Sequence, residues 1–137
     1  MTTLPVAPER DFTALPLRRR ASWVVLLGSL AALGAFTIDL YLPAFPELES
    51  ELGASTSAVQ LTLTGTMIGV ALGMLVVGPL SDAVGRRKPL LVGLGVHVVA
   101  SLLCALAPTI EVLTALRVLQ GLGTSAATVI VLAVVRD

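Results

Sequence analysis

The sequence predicts an all-α membrane protein with four transmembrane helices. Of its 137 residues, 55% are hydrophobic and 13% charged, where a soluble domain is roughly 25% charged, and the mean hydropathy is +0.94. The apolar residues fall into four runs, each near the roughly 20 residues a helix needs to cross a bilayer. None of the runs shows the strict two-residue alternation of a membrane barrel. Lipid offers no hydrogen bonds to open backbone, so helices are the structure that remains.

Residues 1–20, MTTLPVAPERDFTALPLRRR, carry three prolines and mixed charge and read as a flexible cytoplasmic tail. Arg18, Arg19 and Arg20 precede an apolar run, as in a signal peptide, but that run is too long and further spans follow it. The spans are expected over residues 21–42, 59–80, 89–107 and 112–135, with span two containing Gly65, Gly69 and Gly73 at the spacing of a close-packing face. The same span opens with Gln60, Thr62, Thr64 and Thr66, polar residues that can reach a cavity. Pro43 and Pro46 bend or end the first helix.

Orientation follows from Lys and Arg. Eight of the nine basic residues lie in the tail, in the second loop (Arg86, Arg87, Lys88) or at Arg136, while the first loop has three Glu and no Lys or Arg. Both ends are therefore expected in the cytoplasm and the protein in the inner (plasma) membrane. A net charge of zero supplies no field for nucleic acid. The single cysteine, Cys104, cannot form an internal disulfide and reads as a small apolar filler. No zinc site, phosphate loop or nucleophile–base motif is present, so neither an enzyme nor a metal or organic cofactor is expected.

Two charges lie within spans. Arg117 shares a helix face with Gln120, Gly121, Thr124, Ser125 and Thr128 at steps of three and four. A central Arg costs about 3 kcal/mol on insertion scales, so either this stripe lines a bundle interior or cavity, or the arginine snorkels to the outer headgroups. Asp39 is the one charged residue in the 26 positions between Arg20 and Glu47. It is either a hydrated carboxylate at the outer rim or a partly desolvated proton-coupling group of the kind intramembrane acids provide. If Asp39 and Arg117 face one cavity, each stabilises the other. His97, central in span three, reads as a helix-packing residue, with a proton relay as the alternative.

The stretch GPLSDAVGRRKPLL, residues 78–91, resembles the loop between helices two and three of the major facilitator superfamily, G-x-L-(A/S)-D-x-x-G-R-(R/K), through Gly78, Leu80, Ser81, Asp82, Gly85, Arg86 and Arg87. RVLQGLGTSAA resembles the helix-four motif of that family through Arg117, Gln120, Gly121 and Gly123. IDLYLPAFPEL and VVRD are similar to the drug–proton antiporter branch, especially its Bcr/CflA group. One departure is Ala83, where the family often has a basic residue.

The resemblance implies a twelve-helix fold of two six-helix halves that alternates between inward-open and outward-open states. It implies that Gly78, Asp82, Gly85, Arg86 and Arg87 form a conformational-switch loop, and that Asp82 latches one state against the second half. Asp39 and Arg117 then serve in proton coupling, and Gln120, Gly121 and Thr124 line the cavity. The implied activity is efflux of small lipophilic drugs, chloramphenicol-like or bicyclomycin-like, with protons as coupling ion. Four spans fall short of a six-helix half, so the sequence reads as an incomplete transporter whose second half is missing, and the 137-residue chain is expected not to transport alone. The competing reading is a self-sufficient four-span protein, either a small oligomeric pump or a non-transporting packing partner. Such a pump has no need of the residue 78–91 motif.

Overall fold

The computed structural model describes residues 16–136, without the side chain of Arg136. Five α-helices follow in order: α1 Leu17–Asp39, α2 Phe45–Leu52, α3 Thr56–Val84, α4 Arg87–Cys104 and α5 Ile110–Arg136, with a short 3-10 turn at Leu42–Ala44. Four stretches are long and apolar enough to cross a membrane. At about 1.5 Å per residue, the 23 residues of α1 extend about 35 Å, enough for a hydrocarbon core of about 30 Å.

Most of the tail expected over residues 1–20 lies outside the described residues. Its last part, Leu17–Arg20, is the first turn of α1, because three consecutive arginines are good helix formers. The first connection also differs from the open loop expected. Phe45–Leu52 forms α2, with proline in its first turn, Glu47 beside its positive end and Gly53 closing it at φ 58°. Each of these features favours a helix at that position.

The bundle is organised around α5, which packs on α3, α4 and α1, whereas α3 and α4 barely touch. Close approach explains this arrangement. A Cβ on Gly69 of α3 would run into the carbonyl oxygen of Val118, and one on Gly121 of α5 would run into the carbonyl oxygen of Thr66. Each helix thus lays backbone against the glycine of the other, the contact that substitutes for hydrophobic pressure between helices in lipid. By contrast α1 buries no residue completely, and apolar side chains such as Val24 and Val25 point outward, as a lipid-facing or helix-facing surface requires.

The residue 78–91 stretch is mostly helix rather than loop. α3 runs through Pro79 to Val84, and α4 begins at Arg87, which leaves Gly85 and Arg86 as the connection. Asp82 therefore lies in the last turn of α3. Gly85 sits at φ 84°, ψ 154°, a backbone region open to glycine and strained for other residues.

Candidate functional site

The polar stripe of α5 turns inward. Arg117, Gln120, Thr124 and Ser125 are buried, with Arg117 only 7% exposed. It is in the third turn of α5 and points into the bundle, so it does not reach outward to headgroups. A guanidinium at that depth needs compensation, and two neighbours supply it. Nη1–H donates to Gln120 Oε1 at 2.9 Å. The ring of Tyr41 lies beneath the cation, 3.5 Å from Cζ to the centroid, a cation–π contact in a desolvated setting. Nε is buried without a hydrogen-bond partner. Among the described residues no carboxylate pairs with Arg117.

Tyr41 is held in turn. Thr62 gives its one hydroxyl hydrogen to the Val59 carbonyl at 2.6 Å, so at the 2.6 Å contact between Tyr41 Oη and Thr62 Oγ1 the tyrosine donates. Phe45 meets the Tyr41 ring edge-on, with centroids 5.4 Å apart. The segment after α1, the opening of α2 and the start of α3 thus fix the platform on which α5 places its charge.

A second branch runs into α4. An arginine only donates, so the Gln120 amide must turn Oε1 toward Arg117 and Nε2 toward Ser101, to which it donates at 2.8 Å. Ser101 passes its hydrogen to the His97 carbonyl at 2.7 Å. The His97 ring contacts Thr124 Oγ1 through Nδ1 at 2.9 Å, and Thr124 also bonds the Gln120 carbonyl at 2.9 Å. His97 packs between helices as the sequence suggests and is also joined to the polar network. The backbone of α4 reaches this network because Gly123 faces His97 N directly, where a Cβ would sit 2.6 Å away.

Tyr41, His97, Arg117 and Gln120 form one wall of a cleft of about 400 Å³ between α1, α4 and α5, with Leu33, Phe36, Thr37 and Leu40 opposite. Apolar and aromatic on one side and hydrogen-bonding on the other, it has the make-up of a small-molecule site.

The expected site residues do not all converge. Arg117, Gln120 and Thr124 share one network, and Gly121 sits behind them against α3. Asp39 is exposed at the end of α1 and is absent from the cleft wall; the mutual stabilisation considered for Asp39 and Arg117 is not formed. Gly78, Asp82, Gly85, Arg86 and Arg87 lie at the far end of α3 and start of α4. Sequence reasoning passed over Tyr41 and Ser101. The signal for Tyr41 was its place as the single tyrosine of the chain, two residues after Asp39; Ser101 sits four residues after His97, on the same helix face.

The profile of the Major Facilitator Superfamily matches residues 24–137. The chain belongs to this family. An uncharacterized MFS-type transporter of Bacillus subtilis is 51% identical over 120 residues, covering 88% of this chain and 30% of that protein. A chloramphenicol resistance protein of Pseudomonas aeruginosa is 44% identical, covering 85% and 28%. A bicyclomycin resistance protein homolog of Haemophilus influenzae is 36% identical, covering 84% and 29%. The chain thus spans about 30% of the length of these relatives. No solved structure matches it. As a major facilitator segment, it is the multi-pass membrane helices that begin this fold, and its natural surroundings are a lipid bilayer.

Proposed function

We propose that the chain contributes the cavity wall and the cytoplasmic switch of a proton-coupled exporter of small lipophilic drugs, with both described ends facing the cytoplasm. Support for export of drugs comes from relatives named for resistance to chloramphenicol and bicyclomycin. The observation that carries the mechanism is Arg117, a buried cation held by neutral groups. A cation in that setting is stabilised by any carboxylate or partial negative charge that arrives and is exposed again when it leaves. That differential interaction is what biases a carrier between two states. Asp39 and Arg117 act in this reading as the proton-coupling residues. Tyr41, two residues beyond Asp39 and stacked on Arg117, provides the mechanical link between them. Gln120, Gly121 and Thr124 shape the cavity, and Asp82 with Arg86 and Arg87 latches one state against the second half of the transporter.

Proton entry supplies about 2.3 kcal/mol per charge per 100 mV, which drives export against a gradient. The test is transport in everted membrane vesicles, with chloramphenicol as cargo and a pH-sensitive dye reporting protons, using the full reading frame that encodes this chain. Asp39→Asn and Arg117→Gln are each expected to remove drug-induced proton movement at normal expression. Retained coupling in both variants would remove these residues from the mechanism.

A further inference from the structure

His97 is 8% exposed and near the middle of α4, and the proton-coupling reading gives it no task. Its hydrogen bonds define which ring nitrogen carries hydrogen. Three heavy atoms lie together: Nδ1 is 2.9 Å from Thr124 Oγ1 and 3.4 Å from the Gln120 carbonyl oxygen, and Thr124 Oγ1 is 2.9 Å from that same oxygen. The Gln120 oxygen only accepts, and Thr124 has a single hydrogen. If the hydrogen sits on Nδ1, every one of these contacts has a hydrogen between its atoms: Thr124 donates to Gln120, and Nδ1–H donates to Thr124 and leans on the carbonyl. If Nδ1 is bare, two lone-pair atoms face each other at 3.4 Å, and Thr124 can serve only one of them. The Gln120 carbonyl keeps its helical bond from Thr124 N–H in either case, and the first arrangement is favoured because it puts a hydrogen into both 2.9 Å contacts, whereas a bare Nδ1 leaves one of them, and the 3.4 Å approach, as acceptor facing acceptor.

The consequence falls on the opposite nitrogen. Nε2 has no protein partner among the described residues, yet it is not sealed in, since Arg117 Nε is the one buried side-chain nitrogen or oxygen left unpaired there. His97 lines the cleft shared with Phe36, Tyr41 and Arg117. A bare nitrogen lone pair therefore sits on a lining whose hydroxyls, Ser29, Thr37 and Tyr41, give their hydrogens to protein partners, as the Gln120 amide does to Ser101. Aromatic surface lies around it.

We infer that His97 is a specificity-determining residue of the cleft, accepting through Nε2 a hydrogen bond from an O–H or N–H donor on a neutral, partly aromatic cargo. This rests on the cleft being where cargo binds. A site built to accept such a bond discriminates strongly against an analogue that lacks the donor.

His97 is the single histidine of the chain, so one imidazole reports. The full chain is labelled with ¹⁵N-histidine, placed in lipid nanodiscs and observed at mildly alkaline pH. The expected spectrum has a protonated Nδ1 and an unprotonated Nε2. Thr124→Val removes the hydroxyl and is expected to move hydrogen from Nδ1 to Nε2 in part of the population, whereas Thr124→Ser keeps the original state. Benzyl alcohol, an aromatic donor, is expected to shift the Nε2 resonance toward the hydrogen-bonded range, and benzyl methyl ether, with its donor capped, to leave it in place. An Nε2–H tautomer in the unaltered chain overturns the inference. So does a bare Nε2 that responds equally to both probes or to neither. Flux measurements are separate: coupled transport can fail with this tautomer and probe response intact, or hold without them.

Discussion

The Arg117 guanidinium lies 3.5 Å from the centre of the Tyr41 ring, so the charge of the fourth spanning helix rests on the segment that follows the first. A cation–π contact in a desolvated site is worth about 2 kcal/mol, and the Tyr41 hydroxyl bond to Thr62 adds about 1 kcal/mol. The two contributions separate by mutation. Tyr41→Phe keeps the ring and loses one bond; Tyr41→Leu loses both. Thermal unfolding in detergent is expected to show the smaller loss for Tyr41→Phe and at least twice that for Tyr41→Leu. Equal losses would mean that the ring contributes nothing to holding the charge.

Arg117 itself is expected to divide stability from function. Burying an ion costs several kcal/mol that its neighbours only partly return, and replacing such a group with a well-packed apolar residue is often neutral or stabilising. Arg117→Met, which fills similar space, is expected to leave the melting temperature of the chain unchanged or raised. The same substitution is expected to abolish drug-induced proton movement in the vesicle assay. Arg117→Lys is expected to lower stability, because an ammonium neither stacks on Tyr41 nor presents the planar fork that Gln120 meets. A stable, active methionine variant would show that the charge has no part in coupling.

The α3–α5 contact is tested through its glycines. A Cβ on Gly69 would meet the Val118 carbonyl, while one on Gly28 of α1 meets nothing. Gly69→Ala must push two helices apart and is expected to cost about 1–3 kcal/mol, the range for overpacking. Gly28→Ala is expected to be neutral or stabilising by up to about 1 kcal/mol, since alanine is the better helix former. Similar melting temperatures for the two variants would deny the close contact.

Fold class was legible because it rests on composition and span length, which lipid constrains tightly. The inward face of α5 was legible because helical periodicity places Arg117, Gln120 and Thr124 on one side whatever the partner helix. What periodicity does not carry is which partner residue meets them. Tyr41 lies 76 positions before Arg117, at the cap of the 3-10 turn Leu42–Ala44, where the prolines were expected to bend or end the helix. Ser101 is an ordinary small polar residue until Gln120 faces it. Whether Asp39 faces the cleft was left open by the sequence for a similar reason. Its depth followed from counting residues, but its direction depends on how α1 is rotated against α5, and α1 has few contacts that would print such a rotation into the sequence.

The connection between α3 and α4 carries charges against the local helix dipoles, and this supports a last prediction. Asp82 lies in the last turn of α3, where the dipole is negative, and Arg87 and Lys88 open α4, where it is positive. Each misplaced charge costs about 0.3–1 kcal/mol at an exposed site, and Asp82 is exposed. A sequence that breaks a local rule this consistently is expected to be compensated by function. Asp82→Asn is accordingly expected to raise the stability of the 137-residue chain by up to about 1 kcal/mol. In the full reading frame the same change is expected to slow transport, because the latch proposed for Asp82 is lost. Gly85→Ala provides the contrast. At φ 84° and ψ 154° it strains the backbone by about 1–3 kcal/mol, so it is expected to lower stability without removing any charge. Paired melting and flux measurements on the two variants distinguish these roles. Loss of stability in Asp82→Asn would show that the aspartate serves the fold of this segment rather than a latch.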